Sequence, residues 1–177
     1  MLEYKTEAVV LDKEEMGEYD SRVFFYTKEL GKVSAKATSA RKITSKLSAH
    51  LEPLNLIKLR LVHKNNFMIT DALVIDNFTN WRQSANLGQV LEMLNFVKEM
   101  TFEGQDDYQL WTTLKSVLYS STISYISLLK VFGFDPQFAL CESCQNKPNY
   151  FFAKDFIFYC KNCLDNNLCS NSFIQLS

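Results

Sequence analysis

Two close cysteine pairs constrain this chain more than any other feature. Cys141-Glu142-Ser143-Cys144 and Cys160-Lys161-Asn162-Cys163 are separated by the fifteen residues 145 to 159. This is the C-x2-C, spacer, C-x2-C arrangement of a structural zinc site. Two residues between cysteines let one tight turn aim both sulfurs at one point. Two such turns make a tetrahedron of thiolates, which suits Zn2+. A site closed by four cysteines holds shape and leaves no position open for water or substrate. Disulfides would need an oxidising compartment. The start, Met1-Leu2-Glu3-Tyr4-Lys5-Thr6-Glu7, carries acids and no uninterrupted apolar core. It does not read as a signal peptide, and a cytoplasmic location is expected. Redox C-x-x-C chemistry is the other alternative, and it would not require two matched pairs. Cys169 lies outside the pattern and reads as a loop or packing thiol.

The chain has 177 residues, 47% hydrophobic and 22% charged, which is globular composition. No stretch approaches the ~18–20 apolar residues of a membrane span. The net charge of −1 argues by itself against a nucleic-acid binder, but its distribution is uneven. Lys28, Lys32, Lys36, Arg41, Lys42, Lys46, Lys58, Arg60 and Lys64 share their stretch with only Glu29 and Glu52, a local charge of 9 − 2 = +7. A phosphate backbone responds to such a local field and not to the whole-chain average. A solvated charged face accounts for the same pattern.

Residues 1 to about 80 read as five strands. Thr6–Leu11 is a first short one. In Arg22–Thr27, Val23, Phe25 and Thr27 share one face, with Arg22, Phe24 and Tyr26 opposite. Lys28-Glu29-Leu30-Gly31 is a turn with Gly31 at a positive φ, and Lys32–Thr38 is the hairpin partner. Pro53 opens a strand through Val62, His63-Lys64-Asn65-Asn66 turns, and Phe67–Ile75 follows. Five strands with a longer link, Ser39–Glu52, fit a small Greek-key barrel such as an OB-fold. After Trp81 the period becomes helical. Leu87, Val90, Leu91, Leu94 and Val97 mark one helix, with Ser84 or Asn86 as its cap, and a second run spans about Asp107–Val131. Gly133 and Pro136 stop it. The aromatic run from Phe151 to Tyr159 reads as a hairpin between the cysteine pairs. The predicted class is therefore α+β: an OB-fold barrel over 1–80, a helical region over 81–136, a zinc module over 137–168, and a tail over 169–177.

Signatures of catalysis are missing. No Gly-rich phosphate loop, His-Glu-x-x-His or Gly-x-Ser-x-Gly occurs. His50 and His63 have no obvious carboxylate partner, and Asp106-Asp107 reads as the acidic start of a helix. A non-enzyme is expected.

The order barrel, helices, cysteine module resembles the bacterial recombination mediator family RecO. Gly17-Glu18-Tyr19-Asp20-Ser21-Arg22-Val23, with Thr27 and Gly31-Lys32, resembles the family's first barrel hairpin. Ser39-Ala40-Arg41-Lys42 resembles its Gly-Ala-Arg-Lys segment, with Ser for Gly. Leu128-Leu129-Lys130-Val131-Phe132-Gly133-Phe134-Asp135-Pro136, running into Cys141, resembles its helix-to-zinc junction. The resemblance implies binding of single- and double-stranded DNA, annealing of complementary strands, contact with the C-terminal tail of single-strand-binding protein (SSB), and action with RecR to load RecA. It places the protein in the bacterial cytoplasm, at the nucleoid. Family members continue with further helices, whereas 177 − 163 = 14 residues follow Cys163 here. A truncation or a naturally reduced member would account for that.

With that geometry, Lys36, Arg41, Lys42 and Lys46 flank the barrel's long link and Arg22 lies on the neighbouring strand. These five are the expected phosphate contacts. Phe24, Tyr26 and Phe67 are candidate stacking faces for unpaired bases, with barrel core as the competing reading for each aromatic and the preferred one for Phe25 and Phe67. A zinc-ribbon adaptor that ignores DNA, and an accessory domain of a nuclease or helicase, are the alternatives.

Overall fold

A computed structural model describes residues 2–41, 45, 47–120, 122–167 and 173–176. Lys42, Lys46 and Cys169 lie outside the described residues. The chain divides into two compact units, Met1–Ile123 and Ser124–Ser177.

The first unit is built on a closed five-stranded barrel in the order β1-β2-β3-β5-β4. Its strands are β1 (Leu2–Met16), β2 (Asp20–Thr27), β3 (Gly31–Ala37), β4 (Leu56–His63) and β5 (Phe67–Asp76). This is the OB-fold arrangement expected from the strand pattern. β1 runs well beyond the short Thr6–Leu11 segment. It serves two partners, pairing with β4 through Leu2–Val9 and with β2 through Ala8–Met16. The register slips between Val10 and Asp12, leaving Leu11 as a bulge, and a bulge bends a strand around a barrel. The charged ends of β1 masked its length, because their partners, such as Arg60 for Lys5 and Arg22 for Glu14, lie across the sheet and not along the chain.

Alternate residues of the strands fill the interior. Val10, Val23, Phe25, Val33, Ala35, Ile57, Leu59 and Leu61 are all buried in one cluster, and Leu51 from the short 3-10 turn Ser48–Leu51 joins it. β4 starts three residues after Pro53. Leu54 there takes φ 79, and Arg82 Nη2 donates to Pro53 O and Asn55 Oδ1, both at 2.8 Å.

β3 and β5 are the only parallel neighbours in the barrel, and they pair solely at Ala35–Phe67 and Lys36–Met68. The N-terminal half of β3 is therefore an open edge, which other backbone must cover. Gly104 N donates to Lys32 O at 3.2 Å, and Glu103 bridges to Gly31 and Lys32. The segment after α2 thus seals the seam. A Cβ on Gly31 (φ 63) would lie 1.9 Å from Gln105 O, so only glycine admits this approach.

Three helices complete this unit: α1 (Thr79–Arg82), α2 (Leu87–Met100) and α3 (Tyr108–Tyr119). α2 buries Val90, Met93, Leu94, Phe96 and Val97. Lys98 on α2 reaches the barrel, with Nζ 2.6 Å from Asp12 Oδ2, 3.3 Å from Glu14 Oε1 and 4.5 Å from the centre of the Phe24 ring. Burial lowers the Lys98 pKa, but the two carboxylates outweigh it and hold it above its ordinary value. α3 starts at Asp107, whose carboxylate accepts from Gln109 N and Leu110 N, an N-cap.

The single helical run expected over 107–131 is two helices. α3 ends at Ser120, whose single hydroxyl proton is within reach of two carbonyls, Val117 O at 2.7 Å and Thr122 O at 2.5 Å. Hydroxyl side chains that bond nearby carbonyls compete with the helical ladder, and Ser120-Ser121-Thr122-Ile123-Ser124 is rich in them.

The second unit starts with α4 (Tyr125–Val131). Gly133 (φ 84) ends it, with Gly133 N bonded to Lys130 O and Phe134 N to Leu129 O. Those paired bonds form a Schellman cap. A small antiparallel sheet of β6 (Tyr150–Phe152), β7 (Ile157–Tyr159) and β8 (Phe173–Gln175) follows, in the order β7-β6-β8. β6 and β7 are the hairpin expected between the cysteine pairs. Phe151 and Phe158 pack at 4.9 Å between ring centres. α5 (Lys161–Asn167) carries the last cysteine of the second pair. No helix among the described residues is long and apolar enough to cross a membrane.

Candidate nucleic-acid interface and metal centre

The four paired cysteines converge. Their sulfurs all lie within 4.8 Å of one another, and Cys144 Sγ is 3.5 Å from Cys160 Sγ. The first pair sits on a turn in which Gln145 N donates to Cys141 O and Cys141 N to Asn146 O, both at 2.9 Å, with Gln145 at φ 60. The second pair spans the end of the hairpin and the first turn of α5, where Cys163 N and Leu164 N donate to Cys160 O. Cys141 and Cys160 are buried, and Cys144 is exposed. Burial raises the Cys141 thiol. The N–H groups of Cys160, Cys144 and Ser143 outweigh that and bring its pKa down to about 6. Hydrogen bonding of the Cys163 thiol to the sulfurs of Cys144 and Cys160 pushes it up to about 12. The Cys141 sulfur is thus ready as a thiolate at neutral pH, while Cys163 holds a proton that a bound cation would expel. The set can hold one metal ion through four protein ligands, which leaves no coordination site for chemistry.

The sequence-predicted DNA contacts are partly gathered. Arg22 and Lys36 sit directly opposite each other on β2 and β3. Both project from the outer face of the barrel; Arg22 is exposed and has no ion-pair partner among the described residues. Lys36 Nζ lies 2.7 Å from Asp20 Oδ2. Arg41 is anchored at the β1–β2 turn, donating to Gly17 O at 3.0 Å and pairing with Glu15 Oε1 at 3.0 Å. Lys32, counted in the basic stretch, is spent inside the fold: its Nζ donates to Lys98 O at 2.5 Å and Thr101 O at 3.0 Å. The local +7 of the sequence is therefore not seven free cations.

Between the β1–β2 and β4–β5 turns lies a groove of about 350 Å3 on this same outer face. Arg22 and Lys36 line it together with Lys64, Asn66 and Met68. Strand-based reasoning treated Asn65-Asn66 only as a turn and counted Lys64 in the basic stretch without placing it on this face. The signal that would have found them is the barrel order itself, which brings the β4–β5 turn beside the β2–β3 face.

Two of the aromatic candidates are corrected. Tyr26 is fully buried; its hydroxyl donates to Asp107 O at 3.3 Å and accepts from Asp107 N at 3.2 Å. Burial, reinforced by the nearby Asp107 and Asp106 charges against the opposing backbone hydrogen bond, raises its pKa to about 12. The Phe24 ring is covered by the Lys98 ammonium. Phe25 is core, as preferred, and Phe67 packs against that core, edge to face with Tyr4 at 5.8 Å.

Comparison with known proteins bears on both sites. Residues 1–78 match the family described as recombination protein O N terminal. The DNA repair protein RecO of Thermodesulfovibrio yellowstonii is 28% identical over 190 aligned positions, covering 99% of this chain and 76% of that protein. The DNA repair protein RecO of Dehalococcoides mccartyi is 29% identical, covering 91% of this chain and 70% of its own length. The RecO of Cutibacterium acnes reaches 41% identity over 63 residues, or 36% of this chain.

Proposed function

We propose that the chain is a DNA-repair mediator: its residues 1–78 match the family described as recombination protein O N terminal, and it is similar to RecO proteins over nearly its whole length. In this reading it binds single- and double-stranded DNA, anneals complementary strands, and with RecR helps RecA load on SSB-coated DNA. It works in the bacterial cytoplasm, at the nucleoid. One observation carries the reading: an outward groove between two barrel turns, rimmed by Arg22, Lys36 and Lys64. The outer β2–β3 face and these turns are where OB-folds take up oligonucleotides.

The mechanism needs no bond chemistry and no catalytic residue. Cations on the groove rim replace counterions condensed on the phosphates, and the released ions drive binding. Neutralising two strands on one surface lowers their repulsion and raises their local concentration, while base pairing supplies specificity. Arg22, Lys36 and Arg41 are the described contacts in this scheme, and Lys42 and Lys46 extend them. Lys36 and Arg41 must exchange Asp20 and Glu15 for phosphate. A protein-binding adaptor that ignores DNA is the second reading. The SSB tail and RecR are the expected protein partners.

The metal is Zn2+ in this reading. Sulfurs within 4.8 Å of one another suit the ~3.8 Å edge of a tetrahedron with ~2.3 Å Zn–S bonds. Its role is to hold the hairpin and α5 together, so that metal binding is coupled to folding of that module.

A fluorescence-anisotropy titration with a single-stranded oligonucleotide at two salt concentrations tests the reading, followed by strand annealing without ATP, with and without SSB. Binding should weaken steeply with salt, and Arg22→Ala should flatten the log K against log salt slope by about 0.7. No binding at low salt would favour the adaptor.

A further inference from the structure

The groove on the β2–β3 face has a floor that its cations do not explain. Met16, at the end of β1, and Met68, at the start of β5, both line it. Met68 is 46% exposed, an uncovered apolar side chain between cationic walls. Phosphate alone would gain nothing from it. An apolar surface behind a phosphate-binding rim suits a ligand with a charged backbone and a flat apolar appendage, which is a nucleotide whose base is out of its stack.

The usual stacking partners are taken. Tyr26 is buried, Phe24 is covered by Lys98, and Phe67 is turned against Tyr4 and His63. The groove's lining also includes buried Ala35 and partly buried Phe67, and its exposed apolar surface is the thioether of Met68. Methionine is unbranched and polarizable, and it adapts to flat surfaces of different outline. Beside it, the Asn65 and Asn66 amides each offer a donor and an acceptor, and neither makes a side-chain hydrogen bond among the described residues. A seat of this kind discriminates little between bases. It does discriminate between strand states. A base inside a duplex is stacked and paired, so a duplex held by its phosphates on the rim leaves the floor empty. The volume, about 350 Å3, is at the lower end of ligand-sized pockets, about 300–1,000 Å3.

We infer that Met16 and Met68 form a seat for one unpaired nucleotide, and that this seat sets the protein's preference for single-stranded over double-stranded DNA. The inference rests on the DNA-binding reading above and assigns the floor a task separate from that of the cations.

The full chain would be titrated by anisotropy with a labelled oligothymidylate and with a blunt duplex of equal length, at two salt concentrations. Replacing both residues in Met16→Ala/Met68→Ala should weaken single-strand binding about five- to twentyfold, within the range of one lost base contact. Duplex binding should change less than twofold, and the salt slopes should not move, because no cation is removed. Met68→Leu, which keeps the floor apolar, should retain most of the single-strand affinity. Arg22→Ala gives the contrasting pattern, weakening both ligands and flattening both slopes. Should the double variant melt early, Met68→Gln alone at its exposed position supplies the same comparison. Equal losses on the two ligands, or no loss on the single strand, would overturn the seat while leaving DNA binding intact. If the unaltered protein bound neither ligand, the DNA-binding reading itself would fall.

Discussion

Ser39 holds a left-handed backbone, φ 56, and its N–H donates to Asp20 Oδ1 at 2.8 Å. That conformation costs an L-residue about 1–2 kcal/mol, and glycine avoids the cost. Ser39 is where the RecO resemblance has glycine, so the substitution is an unrelieved strain at the mouth of the basic segment. Ser39→Gly should stabilise the protein by about 0.5–1 kcal/mol, the relief less glycine's extra unfolded-state entropy. Thermal unfolding would show it, and an unchanged or lower midpoint would contradict it. Tyr26 makes a second residue-scale prediction. Its pKa is raised to about 12, so the neutral phenol belongs to the folded state. The stabilisation is complete below the unfolded value near 10 and is lost as pH rises towards 12. Over that window the loss approaches about 1.4 kcal/mol per pH unit. Tyr26→Phe should lack this component: its stability should fall less steeply than wild type between pH 10 and 12 in urea titrations.

At the scale of elements, the seam between β3 and β5 is the informative one. The segment Glu103–Gln105 closes it, against Gly31. Gly31→Ala adds a methyl group where Gln105 O stands at 1.9 Å and forces a left-handed alanine. The variant should lose about 2 kcal/mol or more, with faster hydrogen exchange at Gly104 N–H, whose partner is Lys32 O. Full protection there would mean that the closure is not tied to Gly31. This seam also marks where sequence reading stops. Val23, Phe25, Val33, Leu59 and Leu61 showed their alternation, and five strands followed from it. The cysteine spacing placed all four sulfurs together. Gly31 was legible as a turn glycine, but its second reason is a chain segment over seventy residues away in sequence. Lys32 and Tyr26 were misjudged for the same cause. A charge or a ring on a strand shows its face, not the helix or loop that arrives later to cover it. The split between α3 and α4 was hidden because apolar spacing persists through Ser120, where hydroxyl bonding to carbonyls ends the helix.

For the molecule as a whole, two units and a candidate four-cysteine metal centre in the second imply an uneven response to chelation. The cysteine sulfurs tie β6, β7 and α5 together within the unit Ser124–Ser177. The barrel's core lies wholly in the other unit. Removing the metal with a strong chelator should raise hydrogen exchange through residues 137–167 and leave the barrel's melting midpoint unchanged. Loss of both at one midpoint would contradict two separable units. Low pH should act in the same direction, since metal binding expels thiol protons and so strengthens as pH rises. The seam has a further consequence, in the order of synthesis. β3 leaves the ribosome 104 − 31 = 73 residues ahead of Gly104. At about 5–20 residues per second, that is an interval of about 4–15 s. Through it the first half of β3 has neighbours on one side only, and an unpaired edge is a template for a foreign strand. The tempo of translation across α2 therefore decides how long each new barrel can be joined by another chain before its own loop arrives.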